Sequence, residues 1–358
     1  MPTTGRDANM TERSDLLVSI ANTIQTYRSG EIPMPTPAHV DRWASQFTSS
    51  QQLPLLREYA FVVAKSFFTR DKVVRFLNTL VTTANLVGAD PAKYWSRANF
   101  LSVQKDGVSQ REMLHLFDEC LQQQLNVKIA DCGDPLGDFI YLDDIMCTGN
   151  RVATDIEAWI ANDAPAEANL HIILAVMHTS ASDYLQRTRL KGAIKTSGKA
   201  IKIKYWRALE IENQKASKNN SDVFWPTILP IDPDMQAYVA SQRFPFEARV
   251  MGGNYSFFSS EAGRQVLESE FLIAGMKIRS QHSEPKPILK PLGYGGFGVG
   301  FGSTLATYRN CPNNAPLAMW WGAGAETGAL QWYPLLPRKT YSSAQNVFRP
   351  VIQATRRF

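Results

Sequence analysis

"DFIYLDDIMCTGNRVATDI", residues 138–156, opens on apolar β-formers, passes through two adjacent aspartates and ends in a helical pattern. Four consecutive apolar residues, Phe139 to Leu142, suit a strand buried on both faces. Val152, Ile156, Trp159 and Ile160 then recur at the spacing of one helix face. Strand, short turn and helix together make half of a parallel βαβ unit. In an open parallel sheet, ligands bind beyond the carboxyl ends of the strands, and Asp143 and Asp144 take that position after FIYL. The turn Cys147, Thr148, Gly149, Asn150, Arg151 supplies backbone N–H groups at a helix N-terminus, where an anion is favoured. Carboxylates beside an anion cradle suit a ligand with neighbouring hydroxyls and a phosphate, that is, a 5-phosphorylated ribose. The plain alternative is an acidic strand end followed by a helix cap.

The flanking text repeats the same alternation. NFLSVQ (99–104) reads as a short strand, KDGVS as a turn and QREMLHLFDECLQQQL as a helix. VKIAD (127–131) reads as a further short strand, LHIILAVMH (170–178) as the most apolar strand, ASDYLQRTRL as a helix and AIKIKYWRALE (200–210) as a strand. Strands alternating with helices predict an α/β fold with a parallel sheet. Upstream, helical spacing runs to about residue 87 behind a polar start at 1–14. Downstream of about residue 216 the text turns to Trp, Phe, Pro, Gly and Asn. Three regions are therefore expected: an N-terminal helical segment at 1–90, an α/β core at 91–215 and an irregular C-terminal lobe or lid at 216–358.

FIYLDDIMCTGNRV resembles the signature of type I phosphoribosyltransferases, in which apolar residues, an acidic pair and a Thr-Gly turn grip phosphoribosyl pyrophosphate (PRPP). Asn150 and Arg151 replace the small or hydroxyl residues usual there. The resemblance implies a type I phosphoribosyltransferase-like core, with Asp143 and Asp144 as catalytic residues. Cys147 to Arg151 would hold the ribose phosphate, and Mg²⁺ would arrive bound mainly through the ligand. It further implies a pyrophosphate loop after an earlier strand, which falls on Lys105, Asp106, Gly107, Val108, Ser109 and Arg111. More widely, the helical WASQF…LPLLREYAFV, the two loops and the terminal YRNCPNNAPLAMWW resemble phosphoribosyltransferase-like proteins of bacterial conflict and antiphage systems, some encoded beside retron reverse transcriptases. That likeness implies a toxin-like effector held quiet by partners from the same defence system, among them a reverse transcriptase with its RNA and DNA. It marks Tyr308, Arg309, Asn310, Pro312, Asn313, Asn314 and Trp320 as site or lid residues. Two other functions fit the same motifs: a nucleotide-salvage phosphoribosyltransferase, and a non-catalytic module that binds a nucleotide or a partner.

Composition narrows the class. With 358 residues, 44% hydrophobic and 20% charged, the chain has the make-up of a folded globule with one large or two modest domains. A net charge of +5 permits phosphate ligands or nucleic acid and requires neither. Four cysteines without a C-x-x-C pair, and five scattered histidines, argue against a structural metal site. There is no apolar run of membrane-spanning length and no secretory pattern, so a cytoplasmic setting is expected.

Four further stretches carry competing readings. Gly293-x-Gly295-x-x-Gly298 does not open a helix in a βαβ unit, which leaves a lid or a packed loop. FWPTILP and WYPLLP read as hydrophobic packing or an interface. The basic run 187–207 alternates charge with Ile, the pattern of a solvated strand face. His178 ends the most apolar strand on the ligand edge, either as an acceptor contact or as a satisfied strand-end histidine. At Cys147, helix N-terminal donors are expected to lower the thiol pKa.

Overall fold

The computed structural model describes residues 5–104, 109–242, 244–281, 287–295, 298–322 and 332–339. In chain order the elements are α1 (Gly5–Ile24), α2 (Pro37–Ala44), α3 (Gln52–Ser66), β1 (Phe67–Phe68), α4 (Arg70–Val81), α5 (Ala84–Val87), α6 (Pro91–Arg97) and β2 (Asn99–Phe100). There follow α7 (Ser109–Leu125), β3 (Phe139–Met146), α8 (Asn150–Asn162), β4 (Glu167–His178), α9 (Thr179–Tyr184), α10 (Lys191–Ser197) and β5 (Ala200–Ile211). The lobe adds α11 (Pro233–Ala240), α12 (Glu261–Ser280), β6 (Ala306–Thr307) and α13 (Leu317–Trp320). Helix starts follow local chemistry. Thr36, Thr69, Asp90, Asp232 and Ser260 each accept an N–H of the first turn, and Pro follows directly at three of these caps.

Strands β2-β3-β4-β5 form one parallel sheet in that order. Its inner strands separate two buried clusters by side-chain alternation. Ile140 and Leu142 join the cluster built from α1–α7 and the C-terminal lobe, whereas Tyr141 joins the one under α8 to α10. Helix α7 therefore covers one face and α8 the other. The connections leaving neighbouring strands β2 and β3 diverge to opposite faces, and such a divergence opens a crevice at the carboxyl edge of a parallel sheet. β5 closes the sheet with exposed Lys202 and Lys204, charges that discourage further pairing.

Three local expectations change. The strand does not stop at Leu142 but runs through both aspartates to Met146, because β4 continues to offer it partners as far as Met177. VKIAD is not a strand: Ile129–Asp131 is a 3₁₀ turn, with the Ile129 N–H held by Asp118 Oδ1 at 2.7 Å. The helix expected only after a polar start begins at Gly5.

The two ends of the described chain interlock. β1 and β6 pair as a small parallel sheet. Trp43 Nε1 donates to Ala318 O at 2.8 Å, Tyr27 Oη to Pro337 O at 2.9 Å, and His39 bonds Tyr333 Oη and Leu335 O. No helix among the described residues is long and apolar enough to cross a membrane.

At the amino edge of the sheet, Asp138 gathers a polar cluster. Trp206 Nε1–H donates to His171 Nδ1 at 2.9 Å, which leaves Nε2–H to donate to Asp138 Oδ2 at 3.1 Å. Asn169 and Tyr94 donate as well. The His171 bond foremost, joined by those from Asn169 and Tyr94, holds Asp138 down to about 2 against its burial. A carboxylate with a depressed native pKa stabilises the fold above its unfolded pKa, about 4, and the gain is lost as pH falls through the native value. Wild type is thus expected to exceed Asp138→Asn in urea midpoint at pH 6, with the gap closing toward pH 2. A gap that persisted at pH 2 would sink this account.

Candidate functional site

The crevice between β2 and β3 gathers groups from four parts of the chain. Because β3 continues through the acidic pair, adjacent side chains leave on opposite faces. Asp143 is buried, 3% exposed. Its Oδ1 accepts the Asp144 N–H at 2.9 Å, and the hydroxyl of Ser109, at the start of α7, also donates to its carboxylate. Burial, reinforced by the neighbouring Asp144 charge, pushes Asp143 up to about 7. Asp144 stays partly open. Its Oδ1 accepts the Ile145 N–H at 2.8 Å and its Oδ2 accepts Arg309 Nη1 at 3.0 Å.

Arg309 arrives from the far end of the sequence. β6 pins its backbone: the Tyr308 N–H donates to Phe68 O, and the Arg28 N–H to Tyr308 O. The guanidinium then bridges Asp144 and Glu112, the latter on the first turn of α7. The arginine thus ties the acidic strand to the helix that follows β2.

Past β3, Gly149 sits in the left-handed region at φ 77° and starts α8 without a side-chain cap. That leaves the first-turn N–H donors of α8 facing the turn. A Cβ on Gly149 would also crowd Ala181 O at 3.3 Å. Thr148 lies beside the C-terminal lobe, since a Cβ built on Gly295 would be 3.4 Å from its methyl. Asn314 Nδ2 donates to Tyr294 O, and the Tyr294 N–H donates to Asn313 O, so both asparagines fasten this lobe over the turn. Gly293 is wedged so tightly that a Cβ would lie 2.2 Å from Asn314 O, which makes this end of the glycine segment a packed loop. Arg151 is exposed, and its charge is felt at Asp143, Tyr141 and Arg338.

The remaining expected residues divide. Lys105, Asp106, Gly107 and Val108 lie outside the described residues. Arg111 is exposed on α7. Asn310 holds the chain rather than a ligand, with its amide paired to Lys339 backbone groups and its Oδ1 also accepting the Cys311 N–H. Trp320 Nε1 donates to Ala315 O, and Pro312 O closes the same turn. His178 is fully buried, with Nδ1 on Met146 O at 3.0 Å and Nε2 on Ser303 Oγ at 2.9 Å, and burial lowers its pKa to about 4. It is a neutral strut between β3 and the lobe. Cys147 runs opposite to expectation: burial pushes its thiol up, because desolvation outweighs the helix donors.

Two groups escaped the sequence. Glu112 forms S-x-x-E with Ser109, the pattern of a capping box, yet the structure aims Ser109 at Asp143 and Glu112 at Arg309. Arg338 lies over the Trp320 ring at 5.8 Å, and Trp320 in turn stacks on Tyr294. Its Nε is buried without a hydrogen-bond partner, near enough to Arg151 to feel its charge. Two cations converging beside an uncapped helix start form an anion-attracting surface. Among the described residues, no group of three or more His, Cys, Asp or Glu side chains is placed to hold a metal ion.

The PRTase-CE family model matches residues 40–338, well over half of the chain. No curated protein and no solved structure matches it.

Proposed function

The chain belongs to the PRTase-CE family, which is phosphoribosyltransferase-like, and on that premise we propose that it binds PRPP in the crevice between β2 and β3, within a type I phosphoribosyltransferase-like core. The observation that carries this reading is the convergence of Asp144, Arg309, the start of α7 and the Thr148-Gly149 turn. In this arrangement Asp144 accepts the ribose hydroxyls. Asp143, enclosed and bonded to Ser109, positions the start of α7. The α8 donors, with Arg151 and Arg338, hold the 5-phosphate.

The chemistry is N-glycosidic transfer. Pyrophosphate leaves the anomeric carbon, positive charge develops there, and the Asp144 carboxylate favours it. The acceptor is a nucleobase, a nucleotide or a macromolecule. Mg²⁺ would arrive bound to the diphosphate of the ligand and would offset its charge. The setting proposed is an effector of an antiphage system, kept quiet by partners that include a reverse transcriptase with its nucleic acid. The Asp144–Arg309 ion pair favours a second reading, in which the protein binds the ligand without consuming it, since the arginine already occupies the carboxylate that turnover requires.

Calorimetric titration with PRPP and Mg²⁺, beside ribose 5-phosphate and pyrophosphate alone, tests the proposal. Saturable binding is expected, tightest for PRPP because only PRPP carries the ribose, the 5-phosphate and the diphosphate together. Absence of binding by the folded protein would overturn it. Release of pyrophosphate over time would separate turnover from binding alone.

A further inference from the structure

We infer that the outer edge of β5, with the neighbouring face of α4, is a docking groove for an extended acidic segment of another protein. This goes beyond the ribose-phosphate reading, since none of its residues belongs to the crevice between β2 and β3. β5 ends the sheet and pairs only with β4 among the described residues, so one side of its 12-residue backbone has no strand beside it. Ile201, Ile203 and Tyr205 of this strand turn toward the cluster under α8 to α10. Alternation puts Lys202, Lys204, Trp206 and Ala208 on the opposite face. Trp206 packs there against the other cluster, and Ala208 meets α4.

Helix α4 supplies the second wall. Its inner face is buried through Val73, Leu77 and Leu80. Lys72, Arg75, Phe76 and Thr79 recur at the spacing of another face and, with Phe68 and Ala208, line an open groove of about 620 Å³. Lys72 is fixed in place: its Nζ donates to Phe67 O at 2.8 Å and Ala64 O at 3.0 Å, and lies 5.6 Å from the Phe68 ring centroid. Burial first, and the like charge of Arg75 second, lower its pKa. Arg75, Lys202 and Lys204 are exposed, and none of them has an ion-pair partner among the described residues. The one carboxylate of β5, Glu210, is taken by Arg207 at 2.5 Å. The groove and the strand edge thus share an uncompensated positive charge, which an anion would offset.

The form of that anion follows from the strand. A bare edge offers N–H donors and C=O acceptors in alternation. An extended peptide matches both, with main-chain bonds for affinity and alternate side chains for specificity. A phosphodiester backbone carries acceptors only and would leave the outward carbonyls unanswered. A second copy of β5 would set lysine against lysine. The lysines that keep like strands off this edge therefore select an acidic one. From Lys202 to Ala208 the strand rises about 20 Å. Over that length, acidic side chains at every second position would face Lys202, Lys204 and the α4 wall. The residues between them would lie beside the half-buried Ile203 and Tyr205.

The test is fluorescence anisotropy of the full chain with the labelled peptide (Glu-Val)₅. Its comparison probes are (Lys-Val)₅, oligothymidylate, and two forms of (Glu-Val)₅ N-methylated at the odd or at the even residues. Saturable binding of (Glu-Val)₅ is expected, and one of the two N-methylated forms should fail to bind. Lys202→Glu combined with Lys204→Glu should weaken the peptide about tenfold or more, because each reversal turns an attraction into a repulsion. Arg75→Glu, on the helix wall, should weaken it as well. All three positions are exposed, so the thermal midpoint should hold. Asp144→Asn should bind the peptide as wild type does, so this surface and the PRPP site fail or survive separately. No binding of (Glu-Val)₅, equal binding of both N-methylated forms, or binding that the charge reversals leave unchanged would overturn the inference. Tighter binding of oligothymidylate through the same lysines would overturn it too, and make the groove a nucleic-acid surface.

Discussion

In Asp144→Asn, PRPP affinity is expected to fall on the order of 100-fold, whereas Asp143→Asn should lose far less. Hydrogen bonds from ribose hydroxyls to an ionised acceptor contribute roughly 1.5–3 kcal/mol each, and the amide retains only one weaker acceptor. Asp144 is the partly open member of the pair, and its carboxylate already draws Arg309. Asp143 is enclosed. Its pKa is raised by burial first and by the Asp144 charge second. An acid whose native pKa is raised stabilises the fold fully below its unfolded pKa, and that contribution is lost as pH rises through the native value. Asp143→Asn removes the titration while keeping an oxygen for the Asp144 N–H. Its urea midpoint should therefore exceed that of wild type at pH 8 and approach it near pH 4. If Asp143→Asn proved the less stable protein at pH 8, the enclosed carboxylate would have to be ionised and compensated. Equal losses of affinity in the two variants would return both residues to the ribose.

The second large effect lies away from the crevice. Glu268 is 1% exposed and holds two buried guanidinium groups, Arg264 Nε at 2.8 Å and Arg249 Nη2 at 2.9 Å. Arg264 also donates to Ser221 Oγ and Val223 O, so the network ties α12 to the segment that carries Phe224 and Trp225. Glu268→Gln leaves buried Arg264 without its ion-pair partner and Arg249 with Glu261 alone, and removing one partner of a buried pair costs about 3–5 kcal/mol. Each guanidinium already keeps one buried nitrogen without a hydrogen bond, so the site has little slack to absorb the loss. Denaturant unfolding should show a drop of this size. A drop below about 1 kcal/mol would mean that water reaches the network.

Much of the α/β core was legible because its inner strands are buried on both faces and spell out apolar runs. FIYL and LHIILAVMH carry that signal, and the helical repeats on either side carry theirs. The strand end at β3 was not legible, since two carboxylates interrupt the apolar run while the backbone ladder continues beside β4. VKIAD shows the converse: its alternation suits a strand, but Asp118 takes the Ile129 N–H and turns the chain. In the crevice, the Thr148-Gly149 turn is a local signal. Arg309 was reachable only through the likeness of the terminal box to a known family. Glu112 looked like a helix cap because its true partner lies 197 residues away. Arg338 carries no local pattern at all; only the clasp of the first helices on residues 332–339 brings it there. Local chemistry writes strands and caps into neighbouring letters, while a bridge between distant loops leaves no trace in either.

The Asp144–Arg309 bridge spans 165 residues of sequence, and a ribosome adds about 5–20 residues per second. The acidic strand is thus made roughly 10–30 s before the arginine that clasps it. Through that interval the nascent chain carries the carboxylates without the C-terminal lobe, and the crevice cannot be complete. For a protein proposed to harm the cell that makes it, translation itself imposes a delay between synthesis and competence.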